Sequence, residues 1–239
     1  MDTIALVTGG NRGIGLEVCR QLAKQGHIVL LGSRDRAKGE EAARTLSGPG
    51  AKVIPRQVDI TDPSSIIRLR AAIENEWGRL DVLVNNAGIN FDYQQTTVNA
   101  ELNDVRRTLE TNLFGAWRMC QAFLPLIRKS QHGRIVNVSS EAGSFLAPQG
   151  MPERGGVLPA YCISKAALNA FTVKLATALK NTGILVNAVC PGFTASYPGT
   201  EAMGARPVAE GAASVVWAAT LPDDGPTGGF FRDGKPLPW

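Results

Sequence analysis

The stretch Thr3-Ile4-Ala5-Leu6-Val7-Thr8-Gly9-Gly10-Asn11-Arg12-Gly13-Ile14-Gly15 decides how this chain is read. Its first half is a short apolar run halted by glycines, the pattern of a buried strand. Its second half opens a helix, because Ile14, Val18, Leu22 and Ala23 fall on one face and Gly26 stops the repeat. Glycines at such a turn permit a tight bend and close backbone approach. The helix N-terminus beyond them offers free N–H groups and the positive end of a dipole. The spacing is Gly-x-x-x-Gly-x-Gly, not the Gly-x-Gly-x-x-Gly of many dinucleotide folds. A glycine cluster alone is weak. Set between the first strand and first helix of a βαβ unit, it points to a pyrophosphate site edged by Gly9, Asn11, Arg12, Gly13, Ile14 and Gly15.

Outward from this turn the alternation continues. Further strands are expected at 27–31, 52–58, 80–85, 134–138 and 184–189. Helices are expected over about 36–46, 63–77, 105–128 and 160–180, with another beginning near Arg206. The strands are apolar on both faces, as required when helices cover both sides. The reading is an α/β chain, a single Rossmann-type doubly wound parallel sheet with helices on both faces, forming one domain over 1–239. No linker, low-complexity tract or short repeat interrupts it. The longest irregular stretches, 141–159 and 193–207, follow strands, where loops build binding sites at the carboxyl edge.

The second strand ends in Gly32-Ser33-Arg34-Asp35. A carboxylate here would accept the ribose 2′-hydroxyl of NAD, whereas arginine suits a 2′-phosphate. Arg34 can pair with phosphate, Ser33 can donate to it, and Arg12 can approach from the glycine turn. Asp35 argues the other way, unless it caps the following helix, which is its reading here. NADPH is therefore expected over NADH, although two ordinary surface arginines would look the same.

With 239 residues, 44% of them hydrophobic and 19% charged, one sizeable packed domain is expected rather than disorder. The net charge of +4 is spread along the chain, which argues against a nucleic-acid partner. Cys19, Cys120, Cys162 and Cys190 lie far apart and only His27 and His132 are present, so no metal is expected and the cysteines read as free thiols of a reducing compartment. No apolar run reaches the ~18 residues of a membrane span, and a strand begins almost at Met1, leaving no room for a signal peptide; the cytoplasm is the expected location. Neither a Gly-x-Ser-x-Gly elbow nor a phosphate-binding Gly-x-x-x-x-Gly-Lys-Ser/Thr loop occurs.

Thr8–Gly15, Asp59, Asn85-Asn86-Ala87-Gly88, Asn112, Val138-Ser139-Ser140, Tyr161-x-x-x-Lys165 and Pro191-Gly192 stand in the order and approximate spacing of the short-chain dehydrogenase/reductase family. The chain resembles that family along essentially its whole length. The stretches 6–15, 30–41 and 80–88 look most like the carbonyl-reductase branch, which prefers NADPH. The resemblance implies that Asp59 and its neighbour Ile60 contact the adenine. It also implies that Asn86, Ala87 and Gly88 line the adenine-ribose cleft, and that Pro191, Gly192, Phe193 and Thr194 face the nicotinamide carboxamide.

Tyr161 and Lys165 stand four apart on an expected helix and share a face. A free tyrosine titrates near ~10. A nearby ammonium and an oxidised nicotinamide are expected to lower that value. In reduction Tyr161 would act as general acid, and Ser140 would hydrogen-bond the same substrate oxygen. Ser139 and Ser140 are both placed for that task, and the resemblance favours Ser140. The resemblance further implies that Tyr161 and Lys165 touch the nicotinamide ribose and that Asn112 orders a water linking Lys165 to solvent. The expected activity is NADPH-dependent reduction of a ketone or aldehyde to an alcohol, a small-molecule carbonyl being the partner. An NAD-linked secondary alcohol dehydrogenase and a noncatalytic NADPH-binding regulator are the alternatives.

The connection from Ser140 to Tyr161 is several residues longer than the family's usual one. It is rich in glycine and proline, so it is not expected to be helical throughout. Still longer insertions here cover a helix face in the carbonyl-reductase branch, one that otherwise forms a subunit interface, so monomer and homo-oligomer both stay open. Glu141 either faces solvent or points into the substrate pocket. Phe91, Phe145, Phe193 and Tyr197 are candidate aromatic walls of that pocket, or ordinary packing.

Overall fold

A computed structural model describes residues 2–48 and 50–239. Parallel strands β1 (Ile4–Thr8), β2 (Ile28–Ser33), β3 (Lys52–Gln57), β4 (Val82–Asn85), β5 (Arg134–Val138), β6 (Leu185–Val189) and β7 (Phe230–Arg232) form one sheet. A two-residue strand, β8 (Lys235–Pro236), closes its edge antiparallel to β7. The order β3-β2-β1-β4-β5-β6-β7-β8 reverses direction between β1 and β4, where the crossovers leave opposite faces. In open α/β sheets that switch point is where a crevice opens at the carboxyl ends of the strands.

Period-two alternation divides the core. Ile4, Leu6, Leu30, Leu83 and Ile135 pack on one face, beneath helices α3 (Pro63–Trp77), α5 (Ala116–Ile127) and α6 (Pro159–Ala178). Ala5, Val7, Leu31, Val84 and Val136 pack on the other, beneath α1 (Gly13–Lys24), α2 (Arg36–Thr45) and α7 (Val208–Ala219). Both faces are thus buried, and β1 is buried along its whole length. Asp35 does cap α2, its carboxylate accepting the Lys38 N–H at 3.1 Å. Asp62 caps α3 in the same way through Ser64.

Two features differ from the sequence expectation. The helix expected over 105–128 is two helices, α4 (Leu102–Leu109) and α5, joined by a π-helical turn at Glu110–Gly115. Such turns are single-turn insertions inside helical runs, too short to stand out in a pattern that is helical on both sides. The chain also returns to the sheet after α7, a return with no counterpart in the sequence reading. Strands of three and two residues are too short for an alternation signal. Between them Asp233 and Gly234 both take positive φ, 53° and 72°, as a type I′ hairpin turn demands.

Candidate active site

A cleft of about 980 Å³ opens at the carboxyl edge of the sheet, across the switch point. Its walls include Gly9, Asn11, Arg12, Gly13, Ile14 and Gly15 from the first turn, and Ser33 and Arg34 from the end of β2. Asp59 and Ile60 follow β3, Asn86, Ala87 and Gly88 follow β4, and Tyr161, Lys165 and Pro191 complete the far side. Among the expected catalytic and cofactor residues, Asn112, Ser140, Gly192, Phe193 and Thr194 are not in its lining, whereas Ser139 is. Thr194 is buried and its hydroxyl donates to the Pro191 carbonyl at 3.0 Å, whereas Phe193 is half exposed.

The glycine turn is built on contacts that leave no room for a side chain. A Cβ on Gly15 would lie 2.4 Å from the Gly9 carbonyl oxygen and from Asn86 Nδ2. Gly9 itself has φ +64°, the left-handed region. Asn86 fixes the turn by donating to the Thr8 and Gly9 carbonyls at 2.8 and 3.2 Å. No side chain caps α1, in contrast to α2 and α3, so its first-turn N–H groups are open to an anion in the cleft. Ser33 is buried and already donates to the Asp35 carbonyl at 2.7 Å. Lys38, which the sequence reading passed over, joins Arg34 at this end of the cleft. Its signal was there to read: three residues after a capping aspartate, it lies in the first turn of α2. Asp35 also borders this end, but its carboxylate is engaged as the helix cap.

At the other end, α6 brings Tyr161 and Lys165 to the carboxyl end of β5. Lys165 is buried, its Nζ donating to the Val138 carbonyl at 2.8 Å and lying 5.6 Å from the centre of the Tyr161 ring. Burial pushes its pKa down to about 8. Burial also pushes the Tyr161 phenol up, against the pull of a hydrogen bond from Ser140. In the protein alone, loss of water around the phenolate outweighs the lowering by Ser140. A raised value keeps the phenol protonated at neutral pH. Ser139, by contrast, turns away from Tyr161, its hydroxyl donating to Asn169 Oδ1 at 2.5 Å.

Asn112 sits in the π-helical turn and is buried. Its Oδ1 accepts from the Ile89 N–H at 2.8 Å, and its Nδ2 donates to the Ile89 carbonyl and to Ser164 Oγ, each at 3.0 Å. Both amide hydrogens are thus taken by protein groups. Asn112 ties the turn after β4 to α6 beside Lys165: a Cβ on Gly88 would lie 3.3 Å from Asn112 Oδ1 and 3.7 Å from Lys165 Nζ.

The substrate-wall candidates divide. Phe91 and Tyr197 border the cleft, under Arg107 at 4.6 Å and Arg12 at 5.3 Å from their ring centres, and Tyr93 joins them. Phe145 stands outside it, largely in solvent, and Phe193 is also outside. Glu141 is neither solvent-facing nor in the cleft: it is buried and ion-paired with Arg232, which also donates to Cys190 Sγ at 3.2 Å. The correction follows from β7, which the sequence reading lacked and which carries Arg232 to the serine loop. Beyond it, the carbonyls of Pro238 and Trp239 accept from Ser144 Oγ and the Leu146 N–H at 2.8 and 3.2 Å, strapping the same loop. Among the described residues no cluster suits a metal ion and no helix is long and apolar enough to cross a membrane.

The short chain dehydrogenase family model matches residues 3–203 of the chain. The chain belongs to the short-chain dehydrogenase family. This short-chain dehydrogenase is 34% identical to (+)-neomenthol dehydrogenase of Capsicum annuum, over 95% of its own length and 94% of the relative's. It is 35% identical to carbonyl reductase [NADPH] 3 of Rattus norvegicus, over 99% and 98%. Those alignments run over 301 and 280 residues against 239 here, so each relative carries stretches with no counterpart in this dehydrogenase. Among solved structures, NADPH-bound carbonyl reductase from chicken fatty liver superposes with a TM-score of 0.86 at 28% identity, over 100% of this chain and 99% of that one.

Proposed function

We propose that this short-chain dehydrogenase reduces a ketone or aldehyde to an alcohol with NADPH as reductant. The observation that carries the reading is that Tyr161, hydrogen-bonded to Ser140, stands with Lys165 at one end of a cleft whose other end holds Arg34 and Lys38. The cleft's residues fit the dinucleotide. The glycine turn closes to within a Cβ of clash and faces an uncapped helix start, which suits a pyrophosphate. Arg34, Lys38 and Arg12 supply cations for a 2′-phosphate, where an NAD site would present a free carboxylate. The names of the relatives point the same way, two of them specifying NADPH.

When bound, the dinucleotide supplies hydride to the carbonyl carbon. Tyr161 then gives its phenol proton to the oxygen that becomes the alcohol, and its raised pKa keeps that proton in place until the oxygen gains charge. Ser140 donates a hydrogen bond to the same oxygen, stabilising the charge that develops there. Lys165, fixed by the Val138 carbonyl, presents its remaining hydrogens toward the cleft floor, where the nicotinamide ribose hydroxyls would lie. Phe91, Tyr93 and Tyr197 give the mouth an aromatic rim, which suits an apolar substrate.

The test follows cofactor absorbance with NADPH and NADH in parallel against cyclohexanone, benzaldehyde and the ketone of neomenthol. The expected outcome is turnover with NADPH and much weaker turnover with NADH. Equal use of both cofactors would remove the 2′-phosphate assignment. Tight NADPH binding with every carbonyl refused would remove the reductase.

A further inference from the structure

The helix that carries Tyr161 has no cap of its own. Its N-cap residue is Leu158, whose side chain cannot accept a hydrogen bond and whose backbone is left-handed, at φ 57° and ψ 42°. For a residue with a Cβ that conformation is strained and persists only where the surroundings impose it. Here they do. The Leu158 N–H donates to the Gln95 carbonyl at 3.3 Å, the Thr97 N–H to the Gly156 carbonyl at 2.8 Å, and Thr96 and Val157 form an antiparallel bridge. The start of α6 is thus held by the loop after β4.

The missing cap comes from the same loop. Asp92 is fully buried, and its Oδ2 accepts from the N–H of Ala160 at 2.7 Å and of Tyr161 at 3.3 Å. Its Oδ1 is buried without a partner. A buried carboxylate with an unused oxygen and no cation beside it is costly, and the positive end of a twenty-residue helix is what offsets that cost. On either side of Asp92, Phe91 and Tyr93 point the opposite way, exposed and bordering the cleft. One residue therefore holds the helix of the proton donor, and its two neighbours form the substrate wall.

We propose that Asp92 is a positioning residue, whose carboxylate caps the Tyr161 helix from the substrate-wall loop and so sets Phe91 and Tyr93 in register with the tyrosine. The proposal rests on the reductase reading for its kinetic arm and on the structure alone for its exchange arm. Asp92→Ala removes both hydrogen bonds, while Asp92→Asn keeps an acceptor oxygen, and the two residues are near equals as caps.

The experiment compares the parent enzyme, Asp92→Ala, Asp92→Asn and Tyr161→Phe. Three quantities are read: amide exchange of the segment 158–163, kcat and KM for the ketone of neomenthol, and NADPH affinity by fluorescence. In Asp92→Ala, exchange at Ala160 and Tyr161 should speed up about tenfold. Its kcat should fall roughly 10- to 100-fold with KM raised, at unchanged NADPH affinity. Asp92→Asn should restore exchange and kcat to within about threefold of the parent. Parent-like exchange or kcat in Asp92→Ala would overturn the proposal. So would an Asn variant as slow as the Ala variant, or a loss of NADPH affinity in parallel with kcat. Where Asp92→Ala does not fold, Asp92→Asn decides: near-parental exchange and kcat support the cap, and a tenfold loss overturns it. Activity surviving in Tyr161→Phe would instead sink the reductase reading, leaving the exchange arm to judge Asp92.

Discussion

The two ends of the cleft are made by different means. The dinucleotide end is backbone: a glycine turn in which a single added carbon meets the Gly9 carbonyl at 2.4 Å, and an uncapped helix start. The catalytic end is side chains drawn from far apart in sequence. Asp92 caps α6 across 68 residues, Asn112 ties Ile89 to Ser164, and Arg232 reaches Glu141 across 91. A backbone site is specified by a few glycines in a row and tolerates little change. A site held by distant side chains can change its loops while its frame persists, which suits a family whose members carry insertions this chain lacks.

The sharpest way to break that contrast is to cut one long-range tie. Arg232→Ala leaves Glu141 buried and unpaired, and should cost about 3 kcal/mol of stability in a denaturant melt. NADPH affinity should hardly move; if it falls as far as stability does, the two ends are one unit. Next, Arg34→Glu attacks the other end. It should weaken NADPH roughly 10- to 100-fold and NADH far less, with kcat at saturating cofactor preserved. Equal losses for both cofactors would show that Arg34 does not read the 2′-phosphate.

A smaller effect belongs to Lys165. Its folded pKa of about 8 lies below the 10.5 of a free lysine, so between those values the unfolded chain holds a proton that the folded one has shed. Burial therefore penalises the cofactor-free protein fully below pH 8, and the penalty is relieved as pH rises toward 10.5. Melts of the parent and Lys165→Met should converge or cross in the parent's favour over that window; parallel curves would refute the buried ammonium. Smallest of all, Phe145→Ala should leave KM unchanged, because Phe145 stands outside the cleft, whereas Phe91→Ala should raise it several-fold.

The same contrast explains what was legible in the sequence. The parallel sheet, the glycine turn and the Asp35 cap depend on neighbours within a few residues, and local pattern reveals them. Tyr161 and Lys165 could be paired because helical spacing is local too. Glu141 could not be placed, because its partner arrives on a strand of three residues that has no periodicity to detect. The Asp233-Gly234 turn was the available clue to that strand, since both residues take the left-handed conformation a tight hairpin needs. Asp92 was overlooked because an aspartate before a helix is read as a cap only when it is adjacent, and this one caps from another loop. The π-helical turn holding Asn112 was hidden for a different reason: it is six residues long and helical on both sides.

The strap formed by Arg232, Pro238 and Trp239 on the serine loop also orders events in time. A ribosome delivers β1 to β3 and the glycine turn long before these residues, and domains begin to gather as they emerge. Ser140 and its loop therefore await their fastening until Arg232, Pro238 and Trp239 have emerged.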